Sequence, residues 1–216
     1  MTVPLLTRDP HRRPAHPALP FLGDLALTRG RAHELCGPAR RTLAAMIAAR
    51  TEGPVFWIAP SWGTDRLNAE AALRFLDPGR LVFLRPKRAE DLLWSMEEVL
   101  RAGAVALTVA ELPDPPGLTP VRRLHLAAET GAAEGRLVPL GLLLTPGDGG
   151  APGVETRWHM GFAHGADGAE AWRLERRRAR TAPQKAWTVR PEAHGFRVEA
   201  PGAGVVPAEG QVGPDG

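Results

Sequence analysis

Gly37, Pro38, Arg40, Arg41 and Thr42 stand where a short strand, ending at Leu35 and Cys36, meets an amphipathic helix with Leu43, Met46 and Ile47 on one face. A strand–loop–helix frame of this kind is where phosphate is bound, because the backbone N–H groups at a helix start point at one anion. A working phosphate loop reads G-x-x-x-x-G-K-[ST], with Lys as the neutralising charge. Here only Ala39, Arg40 and Arg41 separate Gly37-Pro38 from Thr42, and the second Gly and the Lys are absent. A bulky guanidinium cannot replace Gly where backbone must approach phosphate closely. The frame implies a nucleotide-binding ancestor, and the missing parts imply a vestigial loop that holds no cofactor.

Other catalytic schemes find less to stand on. The seven histidines are scattered, and the spacing of His159 and His164 sends them to opposite faces of a strand, so no metal pair is expected. Cys36 at a strand end reads as a small buried filler rather than a nucleophile. Ser61 lies in no G-x-S-x-G elbow. Trp57 and Trp94 read as core residues by their neighbours, whereas Trp62, in a loop, reads equally as a lid or as a partner contact.

The elements that must position these residues alternate along the chain. Pro54–Ala59, Leu81–Leu84, Ala104–Ala110 and Leu137–Leu144 are short apolar runs of buried-strand type, with Pro139 demanding an edge position or a late start. Between them, Ala89–Arg101 carries Leu92, Leu93, Met96, Val99 and Leu100 at helical spacing, with Glu90, Asp91, Glu97 and Glu98 facing out and Gly103 ending the helix. Thr119-Pro120 reads as the N-cap and first turn of another helix, running to Gly131. Alternating strands and helices predict an α/β fold with a central, mainly parallel sheet. After Pro152 the period becomes two: Trp158, Met160 and Phe162, then Trp172 and Leu174, Trp187 and Val189, Phe196 and Val198. This predicts antiparallel strands over 156–199 that extend the same sheet.

The 216 residues, 44% of them apolar, suffice for one core over residues 21–199. Residues 1–20, with five prolines and the cluster Arg8, His11, Arg12 and Arg13, read as a flexible arm, and 200–216 as a disordered tail. A single cysteine excludes an internal disulfide and fits a cytoplasmic protein, and no apolar run is long enough to span a bilayer. The net charge is +3 and the pI about 9.9. Apart from Lys87 and Lys185 every basic residue is arginine, a composition that an Arg-, Ala-, Gly- and Pro-rich codon bias explains as well as nucleic-acid binding does.

Three stretches resemble the RecA-like superfamily, and more narrowly the ImuA family of damage-induced mutagenesis accessory proteins. GRAHELCGP (30–38) is similar to the entry into the RecA phosphate loop, with His33-Glu34-Leu35 spelled as in ImuA. LVFLRP, a helix and AGAVALTVAEL (81–112) resemble the lead into a Walker B strand. TRW (156–158) and WRLERRRAR with Trp187 resemble the ImuA C-terminal signature, whose Gly-rich turn is replaced here by residues 181–186. The resemblance implies a RecA-like three-layer fold, with Glu111 near the Walker B position. RecA-like ATPases carry a catalytic Glu after the second strand; here Pro60-Ser61-Trp62 stands there, with no carboxylate before Asp65. Glu111 by itself reads as a solvated strand-end acid, and ATP hydrolysis is not expected.

The strongest local charge lies between Ala171 and Arg190, with seven positive residues against the single Glu175, flanked by Trp172 and Trp187. Arg176, Arg177, Arg178 and Arg180, with those indoles, suit three roles: a grip on single-stranded DNA, an acidic-partner interface, or a charged sheet edge that resists aggregation. The resemblance implies a non-catalytic adaptor in the DNA-damage (SOS) response and translesion synthesis. Its partners would be a Y-family-like polymerase subunit, an error-prone replicative-type polymerase and RecA. A SulA-like regulator that binds the tubulin-like division protein is the alternative, as is a RecA-like protein that binds single-stranded DNA.

Overall fold

The computed structural model describes residues 17–63, 67–165, 168–193 and 195–200. The described residues open with a hairpin that the alternation did not announce, β1 (Ala18–Leu22) and β2 (Leu25–Thr28). Its first strand begins inside the segment read as an arm, and Leu19 and Phe21 are buried. Residues 1–16 of that arm, and 201–216 of the tail, lie outside the described residues.

The elements that follow are β3 (Ala32–Cys36), α1 (Arg40–Ala48), β4 (Val55–Ile58), α2 (Ala69–Ala72), β5 (Leu81–Leu84), α3 (Ala89–Ala102), β6 (Leu107–Glu111), α4 (Leu118–Glu134), β7 (Leu140–Leu144), β8 (Thr156–Phe162), β9 (Trp172–Ala179), β10 (Lys185–Glu192) and β11 (Gly195–Glu199). Among the described residues nine strands form one sheet, in the order β11-β10-β9-β8-β3-β7-β6-β4-β5. From β8 to β5 the pairing is parallel; β9, β10 and β11 are added antiparallel. The extension therefore begins with a parallel joint, β8 against β3, and turns antiparallel only at β9.

Two cores cover the two faces of the parallel part. On one face, Leu35, Trp57, Val109, Leu142 and Trp158 pack with Leu43, Met46 and Ile47 of α1 and with the β1–β2 hairpin. On the other, Ile58, Ala110 and Leu143 pack with Leu92, Met96 and Leu100 of α3 and Val121 and Leu124 of α4. Helices on both faces of a mainly parallel sheet make a three-layer α/β fold. The first core continues under the antiparallel wing through Trp172, Leu174, Trp187 and Val189.

Several expectations change in detail. Pro139 produces a late start, not an edge: β7 lies between β3 and β6, and all five of its residues are buried. Leu81–Leu84 lies at one edge of the sheet, and Phe83 is 41% exposed. The last large helix is capped by Gly117 rather than Thr119 and runs on to Glu134. Glu97 does not face out. It is buried and paired with Arg101, and with Arg123 at 2.7 Å. Trp94 is exposed, and Phe162 lies beyond the dry end of its strand. Gly103, at φ +54°, ends α3 as expected.

Candidate functional site

Ligands of open α/β sheets bind outside the carboxyl ends of the strands, where the chain changes direction across the sheet. Here that place is the end of β3: α1 carries the chain one way to β4, and β8 returns on the other side of β3. Gly37 follows β3 with φ +87°, and a Cβ there would lie 2.5 Å from the Met160 carbonyl oxygen and 2.7 Å from His159 Nε2. Only glycine fits both the angle and the space.

Three N–H groups of the loop are engaged within the protein. Gly37 donates to the Gly147 carbonyl at 2.9 Å, Ala39 to the Met160 carbonyl at 3.0 Å, and Arg40 to the Gly37 carbonyl at 3.3 Å. Pro38 has no N–H to give. The Arg40 guanidinium turns back on the Gly37 carbonyl too, at 3.2 Å. Thr42 lies in the first turn of α1, half-buried. The loop thus bonds β8 and the β7–β8 connection where a phosphate loop would bond its ligand.

That connection, residues 145–155, passes across β3 without a helix and is anchored by Glu34. This fully buried carboxylate accepts from Thr145 Oγ1 at 2.8 Å, from the N–H groups of Gly150 and Ala151 at 2.8 and 3.1 Å, and from Arg157 Nε at 2.5 Å. A buried charge is tolerated only with partners of this kind. Cys36, beside it, is fully buried, and burial followed by the Glu34 charge pushes its thiol up to about 12, so no thiolate forms there.

At the end of β6, Glu111 departs from its reading as a solvated acid. It is 7% exposed, and its Oε2 accepts from Arg41 Nε at 3.0 Å and Nη2 at 2.5 Å, while its Oε1 accepts from Trp57 Nε1 at 2.7 Å. Arg41 comes from the first turn of α1, so the pair ties the loop after β3 to the end of β6. A cleft of about 240 Å³ remains there, lined by Arg40, Arg41, Pro60, Gly63, Glu111 and Pro113. In the neighbouring loop Trp62 is 48% exposed. Asp65 lies outside the described residues.

The basic signature occupies β9 and its flanks. Trp172 and Trp187 are buried, which corrects their reading as contact residues: they are core of the wing. Arg176 lies on the same face, its guanidinium 5.7 Å from the Trp158 ring centroid and 5.3 Å from that of Trp187, with Nε donating to the Pro183 carbonyl at 3.0 Å. A bulge opposite Arg157 and Trp158 then breaks the alternation: Trp158 pairs with Arg176 and Arg157 with Arg178, leaving Arg177 as the extra residue. Paired residues share a face, so Arg178 points with Arg157 to the face away from the indoles and does not continue the apolar side beyond Arg176.

On that open face the arginines are largely neutralised. Arg173 and Arg177 both bond Glu175, at 2.6 and 3.0 Å, and Arg177 also bonds Asp148 at 2.7 Å. Arg180 lies 3.3 Å from Glu155. Arg178 is exposed and forms no ion pair with a described residue. His159 lies among them, 3.8 Å from Asp148 and 4.0 Å from Glu175; burial, then the Arg177 charge, holds its pKa below the ordinary value. Among the described residues no group of acids, histidines and cysteine is placed to hold a metal ion, and no helix is long and apolar enough to cross a membrane. No protein-family model matches this chain, and no curated protein matches it.

Proposed function

We propose that this chain is a non-catalytic, RecA-like accessory protein of the DNA-damage response, an adaptor for an error-prone translesion polymerase complex. The observation that carries the non-catalytic half is the engaged loop. The N–H groups of Gly37, Ala39 and Arg40 already have carbonyl partners, and the Glu111 carboxylate that would hold a metal–nucleotide complex is paired with Arg41 and bonded by the Trp57 indole. Binding a phosphate there would require breaking the Gly37–Gly147 and Ala39–Met160 bonds together.

The adaptor half rests on the resemblance and on the wing. Gripping single-stranded DNA calls for aromatic faces beside the cations. Here Trp158, Trp172 and Trp187 are buried on one face, while Arg173 and Arg178 occupy the other. That separation favours a protein surface with acidic groups, reached by Arg178 and its neighbours, over a DNA track. Isothermal titration with Mg-ATP tests the first half: no saturable heat is expected. Micromolar binding that Arg41→Ala abolishes would overturn it. Co-purification of the full chain with the Y-family-like polymerase subunit, indifferent to added nucleotide, tests the second. Complete absence of association would remove the adaptor reading.

A further inference from the structure

Arg177 of the wing is held by two acids of unlike freedom. Its Nε donates to Glu175 Oε2 at 3.0 Å and its Nη1 to Asp148 Oδ1 at 2.7 Å. The Glu175 side chain is 22% exposed and also accepts from Arg173 at 2.6 Å, so it fixes both guanidiniums against the sheet. The Asp148 side chain is 82% exposed. An ion pair so open to water contributes little and yields to a competing anion. Arg177 owes its place to the bulge, which adds an unpaired residue at this point of β9.

Asp148 stands at the tip of a tight turn, between Gly147 and Gly149, closed by the Gly149 N–H on the Pro146 carbonyl at 3.1 Å. The base of this turn is pinned: a Cβ on Gly149 would lie 2.8 Å from Oε1 of Glu34, the buried anchor. The tip is open, and a Cβ on Gly147 would meet nothing within 4 Å. Asp148 can therefore leave Arg177 by rotating its side chain, with the backbone of the connection in place. What it leaves behind is cationic. Arg173, Arg177 and Arg178 then stand against one carboxylate, Glu175, and Arg178 has no ion pair with a described residue. The His159 ring lies between Asp148 and Glu175, and its Nδ1 has no hydrogen-bond partner among the described residues. A shallow cleft of about 310 Å³ continues the site, with Arg173, Glu175, Arg177 and Gln184 in its walls.

We infer that this is a carboxylate-binding site in which Asp148 is the chain's own occupant, and that an aspartate or glutamate side chain of a partner protein displaces Asp148 from Arg177. The inference rests on the reading of the open face as a surface for an acidic protein, and it adds where the first carboxylate lands and what it replaces. Glu175 stays, holding the two guanidiniums that receive it. An isolated partner acid gains little by such an exchange, whereas an acidic run that also reaches Arg178 gains more, so the wing selects for runs of acids.

The test uses the full chain with isotope-labelled histidine, the His159 ring resonance being assigned from His159→Gln. The probe is capped tetraglutamate, set against capped tetraglutamine and inorganic phosphate at equal pH and ionic strength. Tetraglutamate is expected to shift the His159 resonance selectively and saturably, and tetraglutamine to leave it in place. Asp148→Asn should tighten the peptide about three- to fivefold, the range that loss of an exposed competing pair supplies. Arg177→Gln should weaken it about tenfold. Lys87→Gln, beyond β5 at the opposite edge of the sheet, should leave it unchanged, and circular dichroism confirms that each variant is folded. A peptide affinity that Asp148→Asn leaves unchanged or weakens overturns the inference, and co-purification with the polymerase-like subunit can still stand. Phosphate that shifts His159 at lower concentration than the peptide overturns it too, because the site would then take another class of anion. Loss of co-purification, with the peptide results as expected, would instead remove the adaptor reading and keep the carboxylate site.

Discussion

Arg41 and Glu111 stand 70 residues apart in sequence and form a two-pronged ion pair, with both Arg41 nitrogens on one carboxylate oxygen and Trp57 on the other. The pair is mostly shielded from water, with side-chain exposures of 21% and 10%. Arg41→Ala leaves Glu111 buried beside one indole N–H, which is expected to destabilise the fold by roughly 2–3 kcal/mol, below the value for a wholly buried pair. Replacing both, as Arg41→Met with Glu111→Gln, keeps an acceptor for Trp57 and should recover most of that loss. Urea unfolding of the two singles and the double reads the coupling. Additive losses would mean that the two side chains do not stabilise one another.

A buried relay runs from Trp158 to the β2 strand. The Trp158 indole donates to Thr156 Oγ1 at 2.8 Å, the Thr156 hydroxyl meets His33 Nδ1 at 2.7 Å, and His33 Nε2 donates to the Thr28 carbonyl at 2.9 Å. The carbonyl can only accept, so Nε2 carries a proton, and in the neutral ring Nδ1 accepts from the Thr156 hydroxyl. Burial pushes its pKa down to about 4 from an ordinary 6.5. The unfolded chain therefore takes up a proton below about 6.5, which the folded chain refuses until about 4. Stability from His33 is complete above that window and falls as pH drops through it, by on the order of 3 kcal/mol in all. His125, likewise pushed down to about 4 by burial, adds a slope of the same sign. Urea midpoints between pH 7 and pH 4 should fall more steeply for the natural chain than for His33→Gln. Parallel slopes would show that His33 takes up its proton at the same pH in the folded chain as in the unfolded one.

The positions of β3, α1, β4, α3, β6 and β7 could be read from periodicity because each buries a continuous run or a helical stripe, and that signal is local. The β1–β2 hairpin could not be, since Pro17 and Pro20 gave its strand the look of a loop, while its burial comes from α1 and the wing. Pairings across the fold were equally hidden. Nothing near Glu97 in sequence predicts Arg123, and nothing near Glu111 predicts Arg41, so both acids read as exposed. The bulge at Arg177 left no sign among five basic residues in a run of eight, and it moved Arg178 to the other face. That the loop after β3 lacks the second Gly and the Lys of a phosphate loop was legible in sequence, whereas the acceptors of its Gly37 and Ala39 N–H groups, at Gly147 and Met160, lie far along the chain.

Arg176 and Arg178 differ in sequence context by almost nothing and in surroundings by a great deal, and their substitutions should separate stability from binding. Arg176 lies over Trp158 and Trp187 and bonds the Pro183 carbonyl, so Arg176→Ala uncovers two indole faces and frees a turn. A loss of about 1–2 kcal/mol is expected from the cation–π contacts and the hydrogen bond together. Arg178 is exposed on the other face without an ion partner among the described residues, and Arg178→Glu should change stability by less than about 0.5 kcal/mol. If the open face of the wing meets an acidic protein surface, that reversal places like charges together and abolishes co-purification with the polymerase-like subunit, as should Arg177→Glu/Arg178→Glu. Raising salt should weaken such a contact modestly, whereas contacts to DNA phosphates weaken steeply. Full co-purification by Arg178→Glu, with loss of a salt-steep affinity for single-stranded DNA, would instead make the open face a nucleic-acid surface.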